Sequence, residues 1–187
     1  EAPMSVNSRV VARLGRFSID IDRIRAAHHL AEEALTRHDK RVDLWYQENL
    51  ERDPHDGEFI AYLQREQKDD AVNGYPQVLR AALFSTGYSM LELLMTSLCK
   101  ELEGLVRGPR VADLRGDGIQ RARLFLEKVA AVAFPDTKEW QLLVLYGKLR
   151  NALVHSQGDL RTNANLSAIR DLSTREGTFS LAEEDAG

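Results

Sequence analysis

Runs of apolar residues at helical spacing, broken by short polar punctuation, organise most of this chain. Ile19, Ile24, Ala27, Leu30, Ala31, Ala34 and Leu35 recur with a period near 3.6. Ser18 suits an N-cap ahead of them and Asp53-Pro54 a stop, which predicts a long helix over about 18–52. Asp56-Gly57 opens a shorter helix over about 58–71. The turn signal Asn73-Gly74-Tyr75-Pro76 closes it, and Pro76 fits the first position of a third helix running to about Glu103. Gly108-Pro109 and Arg115-Gly116-Asp117-Gly118 make the next stretch a loop. A fourth helix follows over about 119–134. Asp136, with Glu139 three residues on, resembles a capping box for a fifth helix, which Ser156-Gln157-Gly158 ends just after His155. Beyond Gly158 the pattern weakens to one short helix near 165–172 and a strand-like alternation from Gly177 to Leu181. The prediction is an all-α bundle of about five helices over 18–158, with a lead over 1–17 and a small irregular C-terminal extension over 159–187. The acidic end Glu183-Glu184-Asp185 carries no stop signal, so the natural chain is expected to continue past Gly187.

Two helices depart from plain amphipathic character. The third is apolar almost all round from Val78 to Leu102, as a buried central helix is. Yet Ser85, Ser89, Glu92 and Thr96 recur at i, i+4, i+7 and i+11 and so share one narrow stripe. A carboxylate in such a stripe needs a partner, since burying an unpaired charge is costly. A solvent-facing polar side explains the stripe equally well. The functional alternative is a polar wall facing a cation, which puts Glu92 within reach of Arg150 or Asn151 on the fifth helix.

That fifth helix is strongly apolar from Trp140 to Tyr146 and then turns polar at intervals: Lys148, Arg150, Asn151, His155. Arg150-Asn151-Ala152-Leu153-Val154-His155, closing a Leu-rich helix just ahead of Gly158, resembles the signature of HEPN-domain ribonucleases. In that family a late helix of an α-bundle carries Arg, four to six residues, then His, with a polar residue often directly after the Arg. The likeness covers roughly 76–158. Arg23 and His28 repeat the bare spacing, but no Asn follows Arg23 and no glycine stop follows His28, so this copy reads as surface charge.

The resemblance implies a homodimer that cleaves RNA at a composite site, with Arg150, Asn151 and His155 at its centre and no cofactor or metal. Helix geometry makes this sensible. Arg150 and His155 stand about 140° apart around the axis, so one helix does not easily aim both at a single phosphate. Two copies meeting at a two-fold do. His155 titrates near neutral pH and serves either proton role, Arg150 offers a planar fork to phosphate oxygens, and Asn151 orients His155 or the substrate. Ser85, Ser89 and Glu92 support the site. A toxin or antiviral defence role, with an antitoxin or other regulatory partner, is what the family suggests. The family also contains catalytically silent bundles used for dimerisation or for ligand or partner binding, and that alternative stays open. So does the plain one, in which the three residues merely close a helix C-terminus.

Composition adjusts this picture only slightly. A net charge of −4 argues against broad nucleic-acid coating but leaves room for a local groove. Arg121 and Arg123, in the basic stretch from Arg107 to Lys128, are with Lys148 the weaker candidates for RNA contact. One cysteine, Cys99, makes no internal disulfide and suits a reducing compartment. With no long uncharged apolar run and no leader pattern, the reading is cytoplasmic, with no membrane partner. His29 and Glu33 lie four apart on a helix, but two ligands without a second cluster make no metal site.

Overall fold

A computed structural model describes residues 6–134, 136–156 and 165–177. Its elements are α1 (Val6–Arg52), α2 (Gly57–Asp69), α3 (Tyr75–Glu103), α4 (Gly118–Lys128), α5 (Lys138–Ser156) and α6 (Leu166–Glu176). No strand occurs among the described residues, so the protein is all-α as the periodicity predicts. The chain divides into two compact units, one of Ile19–Phe84 and one of the residues on either side. Segments of α1 and α3 contribute to both.

The Ile19–Phe84 unit is an antiparallel hairpin. Its pairings step down one arm as they step up the other: Glu32 with Arg80, His38 with Tyr75, Asp39 and Asp43 with Lys68, and Leu50 beside Gly57. Asp53 and Pro54 make the bend, where the Asp53 carboxylate accepts from the His55 N–H at 3.3 Å. The predicted turn at 73–76 is instead a π-helical turn, Asp70–Gly74, through which the backbone passes from α2 into α3. Proline lacks the N–H and crowds the carbonyl four residues back, and a widened turn just ahead of Pro76 relieves that clash without breaking the helix. Asn73 anchors the turn by donating to the Asp69 carboxylate at 2.6 Å.

The second unit holds the deeper core. Cys99, Ile119, Ala122 and Phe125 interlock with Tyr88, Met95 and Trp140 from α3, α4 and α5. Ile169 and Leu172 of α6 are fully buried, and α6 packs on α5. Within the C-terminal extension, residues 166–176 form a helix packed on α5, where the sequence predicts a short helix over 165–172. Each such side chain contributes about 1.5–3 kcal/mol by leaving water.

Four element boundaries differ from expectation for local reasons. α1 begins at Val6, so Ser18 is mid-helix; Arg9 and Arg13 both reach Glu101 and tie the early turns down. α4 stops at Lys128, six residues early, where Ala131 takes a left-handed φ of 52° and Val132 N–H donates back to Leu126. At α5 the cap is Thr137, whose hydroxyl accepts from Trp140 N–H at 3.2 Å, while Asp136 accepts from Arg123 and Gln141. The Glu139 backbone N–H, and after it the Thr137 hydroxyl, hold the Glu139 carboxyl below the usual range. α6 runs on to Glu176, where Gly177 turns left-handed at φ 61° as a C-cap. Gly158 and the strand-like stretch after Gly177 lie outside the described residues.

Candidate functional site at the α3–α5 crossing

α3 and α5 meet where a glycine removes a side chain from their interface. A Cβ at Gly147 would run into the Tyr88 hydroxyl, so the small residue in an otherwise bulky apolar run is what lets the helices meet. Burial pushes the Tyr88 phenol up to about 12; the neighbouring Glu92 charge adds to the rise and Arg150 opposes it. Tyr88 is therefore a neutral packing group near pH 7, with Glu92 and Arg150 both near enough for their charges to act on it.

One turn after Gly147, Arg150 extends toward α3. Its Nη2 donates to the Ser89 hydroxyl at 3.4 Å and its Nη1 to the Asn151 carboxamide oxygen at 2.9 Å. Its Nε is buried and donates to nothing among the described residues. Both acceptors are neutral. Most described arginines in this unit that meet an acceptor meet a carboxylate, such as Arg9 and Arg13 on Glu101 or Arg123 on Glu127 and Asp136. Among the described residues Arg150 makes no ion pair, and an orphaned buried donor such as its Nε typically costs about 1–3 kcal/mol.

The stripe on α3 is half-buried throughout, at Ser85, Ser89, Glu92 and Thr96. It supplies Arg150 with Ser89. Glu92, expected at Arg150 or Asn151, goes elsewhere: its carboxylate lies against Gly118, the first residue of α4. A Cβ there would collide with Glu92, and Gly118 has φ +50°, so the position calls for glycine twice over. A carboxylate at a helix start is favoured by the helix dipole, which gives Glu92 a structural partner.

No family model, curated protein or solved structure matches this chain. Its own geometry is what remains to read.

Asn151 and His155 are exposed, four residues apart and so on one side of α5, with His155 in the last turn. Arg150 is half-buried and reaches from α5 to Ser89 on α3. The three residues are thus neighbours in sequence that the helix divides into an outward pair and an inward cation. Asn151 bridges the two sets, since it is exposed yet bonded to Arg150. Lys148 is half-buried. The other two expected RNA contacts are engaged within the chain. Arg123 lies against both the Phe134 and Trp140 rings, 5.3 and 5.0 Å from their centroids, and pairs with Glu127 and Asp136. Arg121 bonds the Gly116 carbonyl at 2.6 Å and Asp117. These two arginines tie α4 to its surroundings.

Among the described residues, no three His, Cys, Asp or Glu side chains converge as metal ligands, and no helix is long and apolar enough to cross a membrane. Burial, reinforced by Glu103, pushes the Cys99 thiol up to about 11, so it is unreactive near neutral pH. Tyr88, Gly118 and Thr137 were not singled out by sequence reasoning. Only Gly147 had a legible signal, as a lone glycine inside a helical apolar run.

Proposed function

We propose that this chain cleaves RNA without a metal ion, in the manner of the HEPN ribonucleases that Arg150-Asn151 and His155 resemble. The observation that carries the proposal is the half-buried Arg150, held by neutral Ser89 and Asn151 and ion-paired with no carboxylate among the described residues. A guanidinium fixed in this way has a charge available for a phosphate and a planar fork to receive it. The exposed His155 supplies the proton chemistry. It takes the ribose 2′-hydroxyl proton as that oxygen attacks the adjacent phosphorus, or gives a proton to the departing 5′-oxygen. The products are then a 2′,3′-cyclic phosphate and a 5′-hydroxyl.

Because α5 turns Arg150 inward and His155 outward, the full site is proposed to form in a homodimer, with the C-terminal half of α5 from two copies near the two-fold axis. RNA is the substrate, the compartment is the cytoplasm, and an antitoxin or other regulatory partner restrains the activity. One observation favours the silent-bundle reading: Arg121 and Arg123 are spent on internal contacts, leaving less basic surface for RNA. The deciding experiment incubates the purified protein with total RNA and a chelator, beside Arg150→Ala. Cleavage by the parent and none by the variant supports nuclease action; intact RNA in both lanes transfers the assignment to the silent bundle.

A further inference from the structure

The stretch from the end of α3 through α4 concentrates positive charge in an acidic chain. Residues 104–128 carry six basic side chains against three acidic ones, while the whole chain stands at −4. Arg121 and Arg123, on α4, are engaged within the chain. Arg107, Arg110 and Arg115, in the loop ahead of α4, are not. All three are exposed, and their guanidinium groups make no hydrogen bond or ion pair among the described residues.

The carboxylates nearest them in sequence are turned to other work. Glu103 accepts from the Val111 N–H at 2.6 Å, and Asp113 accepts from the Arg110 N–H at 3.1 Å. Asp117 lies 3.4 Å from Arg121. Val111, at 4% exposure, pins the middle of the loop to the core, and Arg121 Nε donates to the Gly116 carbonyl near its end. The loop is thus anchored through its backbone, with its three arginines left to solvent.

Its end also reaches the candidate site. Gly118 lies against Glu92 on α3, and Ser89, three residues earlier on the same side of that helix, holds Arg150. About 4.5 Å of helix rise separates the two contacts.

We propose that Arg107, Arg110 and Arg115 form a strand-binding surface, which holds the phosphate backbone of an RNA as it runs along the loop toward Arg150. That the polyanion is RNA rests on the function proposed above, and continuity with Arg150 is what favours a nucleic-acid strand over an acidic protein segment. Each guanidinium offers a planar fork to phosphate oxygens. Such contacts position a strand without reading its bases, so the surface accepts many sequences.

The test is binding of a fluorescent single-stranded RNA oligonucleotide, followed by anisotropy over a range of salt concentrations. Its 2′-O-methyl groups block cleavage by 2′-hydroxyl attack, so binding is read apart from the reaction. The proteins are the full-length parent, a loop variant (Arg107→Gln, Arg110→Gln, Arg115→Gln) and a control of equal charge (Arg37→Gln, Arg41→Gln, Arg65→Gln). The control arginines are exposed on the Ile19–Phe84 hairpin, and circular dichroism checks that helix content is equal in all three. On single strands each phosphate contact contributes about 0.7 to the slope of log affinity against log salt. The loop variant is therefore expected to bind more weakly with a slope smaller by about 2, Arg115→Gln alone to lose about 0.7, and the control to keep the parent's slope. A loop variant with the parent's slope, a control that loses as much, or a parent that does not bind at low salt overturns the proposal. Cleavage of unmodified RNA, measured on the same proteins, separates the two readings. A parent that binds through the loop but does not cut keeps this surface and loses the nuclease, whereas one that cuts with the loop variant's slope unchanged does the reverse.

Discussion

The two units of this protein use helices in contrasting ways. In the unit that carries α4, α5 and α6, helices surround fully buried Phe125, Ile169, Leu172 and Cys99, and charged groups stay at the margins. In the Ile19–Phe84 hairpin the buried hydrophobic residues are Val42, Ile60 and Ala71, with Pro76 beside them, while Phe59, Tyr62, Val72 and Val78 are exposed. Cross-arm ion pairs help register the hairpin, Glu32 to Arg80 and Lys68 to Asp39 and Asp43. Exposed pairs are individually weak. The difference teaches where each property can reside. The packed core fixes the surroundings of Arg150, whereas the thin hairpin leaves much of its apolar surface exposed.

Core truncation is the most forceful way to test that contrast. Phe125→Ala should destabilise by about 3–5 kcal/mol in a denaturant titration, since it removes a large side chain at zero exposure and leaves a cavity. Ile60→Ala in the hairpin should fall at the low end of the usual range, about 2 kcal/mol, because the surroundings of a thin core can collapse or admit water. Equal losses would mean that the hairpin core is as well packed as the other.

Next in size is the close approach of α3 and α5. Gly147→Ala should cost about 1–3 kcal/mol, since the new methyl meets the buried Tyr88 hydroxyl. Tyr88→Phe removes the obstructing oxygen and should recover part of that loss in the double variant. A fully additive double variant would show that the two sites are not in contact.

The smallest effect belongs to the hairpin's ion pairs. The bond from Arg80 holds the Glu32 carboxyl below its ordinary value, aided by the Arg80 and His28 charges. A lowered carboxylate contributes stability above its unfolded value of about 4.3 and loses it as pH falls through the lower folded value. Both groups are substantially exposed, so the contribution is at most about 1 kcal/mol and shrinks with salt. Arg80→Gln should therefore lower stability slightly at pH 7 and flatten its decline below about pH 4.3. An unchanged acid profile would show that the pair adds nothing.

What the sequence made legible follows from which signals are local. Apolar spacing identified the first five helices, and the Arg150-Asn151 and His155 cluster stood out because its spacing and its placement at a helix end are both local. Ends set by backbone accommodation were harder. Ala131 turns left-handed without being glycine, and Asn73-Gly74-Pro76 carries every mark of a turn yet continues as a π-helical one. Contacts between distant residues were least legible. Glu92 finds the start of α4 because Gly118 lacks a side chain, and Arg123 packs against two rings eleven and seventeen residues away. Periodicity does not encode such pairings.

The central claim is that His155 and Arg150 carry out phosphodiester chemistry, and end-group analysis of single-turnover RNA cleavage in chelator tests it most directly. The parent should leave 2′,3′-cyclic phosphate ends. His155→Ala, folded as the parent is because this exposed last-turn residue covers little core, should be about 10²–10⁴-fold slower. Arg150→Lys, which keeps the charge and loses the fork, should also be severely slowed. A His155→Ala protein that cuts RNA as fast as the parent would contradict the account.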